Sequence, residues 1–133
     1  MRILIIIIIL FFASCAPAIA QNYVGCSKKT ITDQLHNKGY VLHDYPETDN
    51  MFNYIVVNNE SATMQYIFNS NNLCIKYVYW VNGETFSGLE SILIDLGYIR
   101  HADNYYYTDD YVAKIEYNSK SESWTIVIIP NIK

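Results

Sequence analysis

Apolar and polar positions along this chain change period several times, and each change marks an element. Residues 3–12 form an unbroken apolar run with no polar side. From residue 30 the apolar positions thin out to Ile31 and Leu35, four apart, the spacing of one side of a short helix. Thr30-Ile31-Thr32-Asp33 resembles a capping box with Asp in place of Glu, and Gly39 stands where that helix would stop. Period 2 then takes over. Strands are expected at 40–43, 51–57, 63–68 and 73–81, with Met64, Tyr66 and Phe68 alternating cleanly. The loop at 44–50 holds Pro46, and turns fall at 58–60, 69–72 and Asn82-Gly83.

The same succession then returns. Ser87-Gly88-Leu89-Glu90 matches a capping box, and Leu89, Ile92, Leu93 and Leu96 share one helix side. Strands are expected at 98–101, 105–108, 111–117 and 123–129, separated by Asp103-Asn104, Asp109-Asp110 and residues 118–122. The stretches opening each series both read L-x-x-x-G-Y-[V/I]-x-H, from Leu35 to His43 and from Leu93 to His101, 58 residues apart. Gly39 and Gly97 fit the position just past a helix end, where positive φ is easiest without a Cβ. Further on, Tyr66-Ile67-Phe68-Asn69-Ser70 aligns with Ile115-Glu116-Tyr117-Asn118-Ser119 at an offset of 49. The nine extra residues of the first series fall in or beside the loop at 44–50, and insertions belong in surface loops.

These patterns predict an α+β fold of two tandem α-β-β-β-β repeats, one at about 27–81 and the other at about 84–130. The strand links are too short for parallel crossovers, so the sheet is expected to be antiparallel with two helices on one face. Alternation places Met64, Tyr66, Phe68, Ile75, Tyr77 and Tyr79 under the helices. Ala113, Ile115, Tyr117, Trp124, Ile126 and Ile128 join them from the second half. The other face is expected to hold Gln65, Ile67, Cys74, Lys76, Val78 and Trp80, with Lys114, Glu116, Thr125, Val127 and Ile129. Val78, Trp80, Val127 and Ile129 form an apolar cluster there, and such clusters mark interfaces unless something covers them. The alternative is a cover supplied by the N-terminal segment, or a strand buried on both sides. This expected architecture is similar to that of tandem-repeat α+β binding proteins such as the bacterial β-lactamase inhibitory proteins, whose two repeats offer a concave sheet to a partner.

Export changes which residues enter the fold. Arg2, the apolar run and Ala18-Ile19-Ala20 together describe a signal peptide over 1–20, leaving a single α+β domain over 21–133. The apolar run is well short of the roughly 20 residues that span a bilayer. A competing reading takes Phe12-Ala13-Ser14-Cys15 as a lipobox, with Cys15 lipidated and the protein anchored to the outer envelope. Otherwise it is secreted or periplasmic. Without residues 1–20 the net charge moves from −4 to −5, since Arg2 is their one charged residue. A nucleic-acid surface needs a basic stripe, and Lys28-Lys29 is the longest basic run, so nucleic acid is not an expected partner. All 13 tyrosines lie beyond residue 20, as suits half-buried sheet surfaces.

Candidate chemistry is sparse. His43 and His101 take equivalent places in the two series, but nothing has the spacing of a metal site, and Asp103, Asp109 and Asp110 read as turn residues. No nucleophile elbow, Cys–His pair or glycine-rich phosphate loop is present, so no catalytic residue, metal or cofactor is assigned. Asn59-Glu60-Ser61 is a glycosylation sequon, informative only in a eukaryotic host. Cys26 and Cys74 are the cysteines beyond residue 20, and export favours a disulfide between them. The 48-residue loop it closes would stabilise the fold by about 4 kcal/mol in the chain-entropy picture. Two function classes follow: an exported binding or inhibitor module that recognises a protein partner through its aromatic sheet face, or a self-associating structural or assembly protein of the envelope.

Overall fold

The computed structural model describes residues 23–59 and 62–132 of the chain. The expected signal peptide, Cys15 and most of the sequon lie outside them. Helix α1 spans Lys28–Asn37, and strands β1 (Leu42–Tyr45), β2 (Tyr54–Asn59), β3 (Ala62–Phe68) and β4 (Cys74–Val81) follow it. Helix α2 spans Phe86–Asp95, followed by β5 (Ile99–Ala102), β6 (Tyr105–Tyr107), β7 (Tyr111–Asn118) and β8 (Ser123–Pro130). All eight strands form one antiparallel sheet in the order β1-β2-β3-β4-β8-β7-β6-β5, so the fold is α+β with two helices among the described residues.

Both helices start earlier than the expected capping boxes. Ser27 caps α1 by accepting from the Thr30 amide at 3.2 Å, and Thr85 caps α2 by accepting from the Gly88 amide at 3.1 Å. Any Ser or Thr with extended backbone at this position serves, so the geometry chooses among neighbouring candidates. The helix ends are as expected. Gly39 and Gly97 have φ of +84° and +94°. Behind each, Tyr40 N–H donates to the Leu35 carbonyl at 3.1 Å, and Tyr98 N–H to that of Leu93 at 3.0 Å. Gly39 and Gly97 themselves donate to His36 and Ile94, completing a Schellman motif at both helix ends.

Ile31 and Leu35 of α1, and Leu89 and Leu93 of α2, are buried against one side of the sheet. There they meet Ile55, Val57, Tyr66, Phe68, Tyr77, Tyr106, Ala113, Ile115, Ile126 and Ile128. The alternation-based assignment fails at one place. A register shift at Ile67/Phe68 pairs Ile67 with Lys76 but Phe68 with Cys74, so Ile75 is an extra residue on β4. Such a bulge turns two successive side chains toward one face. Ile75, expected under the helices, lies beside Lys76 on the opposite face, while Cys74, expected there, is 1% exposed in the core.

The lead-in before α1 does not pass to the other face, as a bond from Cys26 to a Cys74 on that face would have required. It stays on the helix side of the sheet: Tyr23, Val24 and Cys26 belong to the core, the Tyr23 and Tyr66 rings lie 5.8 Å apart, and the Tyr111 hydroxyl donates to the Val24 carbonyl at 3.4 Å. Its backbone runs along β4, with Cys74 N–H donating to the Cys26 carbonyl at 2.9 Å and Gly25 N–H to that of Cys74 at 2.8 Å. The expected disulfide is a correction: the structure contains no Cys26–Cys74 bond. The two backbones are held together by amide hydrogen bonds, and burial pushes the Cys74 thiol pKa up to about 12.

Candidate binding face

Neither helix nor the described lead-in touches the second face of the sheet, and register decides what that face displays. Val78 pairs with Val127 across the central β4–β8 junction, and Trp80 pairs with Thr125. Ile129 stands two residues from Val127 on β8 and pairs with Val112 on β7. β4 and β8 run in opposite directions, so Trp80 and Ile129 flank the valine pair on opposite sides. Val78, Trp80 and Val127 are half-buried by their neighbours, and Ile129 is 42% exposed. All four residues expected to form the cluster share this face, and the N-terminal cover expected as the alternative is not present in residues 23–27.

The register extends the face well beyond those four. Val78 pairs with Gln65, which pairs with Val56, which pairs with His43 at one edge. In the other direction Val127 pairs with Lys114, and Lys114 with Tyr105. Lys114 lies 3.4 Å from Glu116 and 5.4 Å from the Tyr105 ring centre, and these neighbours, Tyr105 foremost, raise the pKa of its amine. Tyr45 and Tyr54 stack at 4.7 Å between ring centres on β1 and β2. Sequence alternation missed the part played by Val56, Tyr54 and Tyr105, because the order of strands was not legible; the tyrosine excess was the available signal.

At one end of this face the chain between β1 and β2 folds over the sheet and makes a cleft of about 340 Å³. Met51 and Phe52 stand on its rim, 52% and 46% exposed, and Ile67 and Ile75 line it from the strands. Asn50, Tyr54, Gln65 and Lys76 supply its polar groups. The bulge at Ile75 is what brings an isoleucine and a lysine side by side here.

The remaining chemistry-bearing residues are scattered. His43 lies on β1 and His101 on β5, the two edge strands, about 34 Å apart at the usual strand spacing. The His101 ring packs edge-on against Tyr107 at 5.1 Å. Among the described residues no three His, Cys, Asp or Glu side chains converge as a metal site would require. On the helix side, the Tyr106 hydroxyl donates to Glu90, which also faces Arg100 at 3.5 Å; burial first, then Glu90, push Tyr106 up to about 12. Lys28 similarly ties Asp44 at 2.9 Å to the buried Asn53 at 3.1 Å. These networks join helix to sheet, and Lys28 also borders an open cleft of about 380 Å³ with Ser27, Thr32, Asp33, Asn71 and Asn72. No helix among the described residues is long and apolar enough to cross a membrane. The chain matches no known protein family, no curated protein and no solved structure.

Proposed function

We propose that this chain is an exported binding or inhibitor module, without enzymatic activity of its own, that recognises a protein partner through the helix-free sheet face around Val78, Trp80, Val127 and Ile129. The observation that carries the reading is that, among the described residues, one face of an eight-stranded sheet has no helix over it, yet has β-branched and aromatic side chains along its central strands. A solvent-facing sheet side normally alternates to polar residues. Residues 1–20 act as the signal peptide in this reading and the destination is the periplasm or the medium; lipidation at Cys15 would instead anchor the same face near the envelope.

The two helix-plus-four-strand halves are, in the same reading, copies of one unit. At the offset of 49 that aligns residues 66–70 with 115–119, Val78 corresponds to Val127, and these two pair with each other. A local two-fold through that pair would place the cluster on the axis of the duplicated unit, which supports its use as the centre of an interface.

The test is affinity capture from the host's extract with the wild-type protein and with Trp80→Ala. Truncating a buried interface aromatic commonly costs about 2 kcal/mol or more, roughly a 30-fold loss in Kd. The variant should lose the partner while keeping its urea midpoint. Loss of several kcal/mol of monomer stability with association unchanged would make Trp80 an ordinary packing residue and sink the proposal. The same cluster supports a second reading, self-association as an envelope assembly protein. A stable homodimer on size-exclusion chromatography, dissociated by Trp80→Ala, would favour it over the first.

A further inference from the structure

The cleft beside the Val78–Val127 centre has a composition that points to a kind of partner group. Its strand-side lining is apolar at Ile67 and Ile75 and polar at Gln65 and Lys76, and the exposed Phe52 and Met51 stand over it. Within it is one charged residue, Lys76. Lys28, Lys29, Arg100 and Lys114 each have a carboxylate partner; among the described residues Lys38, Lys76 and Lys120 have none, and of these three Lys76 is the one that lines the cleft. Lys76 is exposed on this face, and an anion that docks against the apolar lining displaces part of the water that would screen it from that ammonium group. The apolar lining favours a hydrocarbon or aromatic body directly next to that anion.

Resting on the protein-binding reading above, we propose that this cleft receives an apolar side chain of the partner polypeptide lying directly beside a carboxylate, the side chain between Phe52, Ile67 and Ile75 and the carboxylate on Lys76. Three features select a polypeptide over a free fatty acid. A volume of about 340 Å³ is at the low end of ligand pockets, which run from about 300 to 1,000 Å³, and suits one residue better than a long acyl chain. Gln65 offers both a donor and an acceptor, as a main chain requires. Gln65 also pairs with Val78, so a chain seated here continues directly onto the centre of the face. A polyanion is disfavoured by the net charge of −4 on the chain.

The test uses ¹⁵N-labelled protein and the tripeptide acetyl-Gly-Gly-Phe, once with a free C-terminal carboxylate and once amidated. The free acid should shift the amide signals of Phe52, Tyr54, Ile67 and Lys76 saturably, and bind at least fivefold more tightly than the amide. Lys76→Met should bring the acid down to the affinity of the amide and leave the amide unchanged; Lys76→Gln serves as a second variant. Equal affinity for acid and amide, a preference that survives in both variants, or no saturable shift at these residues overturns the inference. Octanoate binding tenfold more tightly than the peptide overturns the polypeptide assignment in favour of a lipid. Failure of the broader reading looks different. A Trp80-dependent partner held equally well by Lys76→Met sinks only the cleft, whereas peptide binding with no Trp80-dependent association sinks only the partner-binding face.

Discussion

Gly97→Ala isolates one cause of stability in this fold. Gly97 follows α2 with φ of +94°, and a Cβ added there would have nothing within 4 Å. Crowding therefore contributes nothing, and the whole effect is conformational. Holding an L-residue in the left-handed region costs about 1–2 kcal/mol. Against that, Ala loses less chain entropy on folding than Gly, an offset of about 0.4–1 kcal/mol. The strain wins, and Gly97→Ala should destabilise by about 1 kcal/mol, or about 4 °C in Tm for a chain of this size. Gly97→Asn should cost less, since Asn tolerates this region. Gly39, with φ of +84° and an equally empty surround, should behave the same way, and the two should add because they end different helices. Urea unfolding followed by far-ultraviolet circular dichroism measures the wild type, the three single variants and the Gly39→Ala/Gly97→Ala double variant. If Gly97→Ala is as stable as wild type while Gly97→Asn is less stable, positive φ is not what Gly97 is there to supply, and the helix-end argument fails.

Further outcomes follow from the core. Leu93 is fully buried, so Leu93→Ala should cost about 2–5 kcal/mol in urea unfolding, against less than about 0.5 for the exposed Ile94→Ala. The Cys74 thiol, raised from 9.0 to about 12 by burial, should be alkylated by iodoacetamide at pH 8 at least a hundredfold more slowly in the native protein than in urea. Stability should fall in alkali: Cys74 and the buried Tyr66, Tyr77 and Tyr98 all have folded pKa values above their unfolded ones, chiefly through burial. These groups are neutral when protonated, so above pH 9 the unfolded chain releases protons that the folded chain keeps, and each costs up to about 1.4 kcal/mol per pH unit. A flat urea midpoint from pH 8.5 to 11 would contradict that assignment.

What this sequence determined alone was local. Gly39 and Gly97 mark helix ends because a Schellman motif needs positive φ at one residue, which is a property of that residue's own backbone. Short polar turns between alternating segments required antiparallel neighbours, and the alternation of Val78, Trp80, Val127 and Ile129 put all four on one face. The helix starts moved by a few residues, since Ser27 and Thr85 competed with later candidates for the same capping role.

What only the tertiary structure decided depends on partners distant in sequence. The bulge at Ile75 exists because β3 and β4 change register at Ile67/Phe68, and alternation counted along β4 alone runs straight through it. That single residue moved Cys74 into the core and brought Ile75 beside Lys76 in the cleft. The lead-in settled on the helix side because Tyr23 found the Tyr66 ring there, a contact across 43 residues that no local pattern encodes. The extent of the exposed face, from His43 through Val56 and Gln65 to Lys114 and Tyr105, followed from β4 pairing with β8. Strand order is set by which apolar faces the whole chain can bury together, and that sum has no local signature in the sequence.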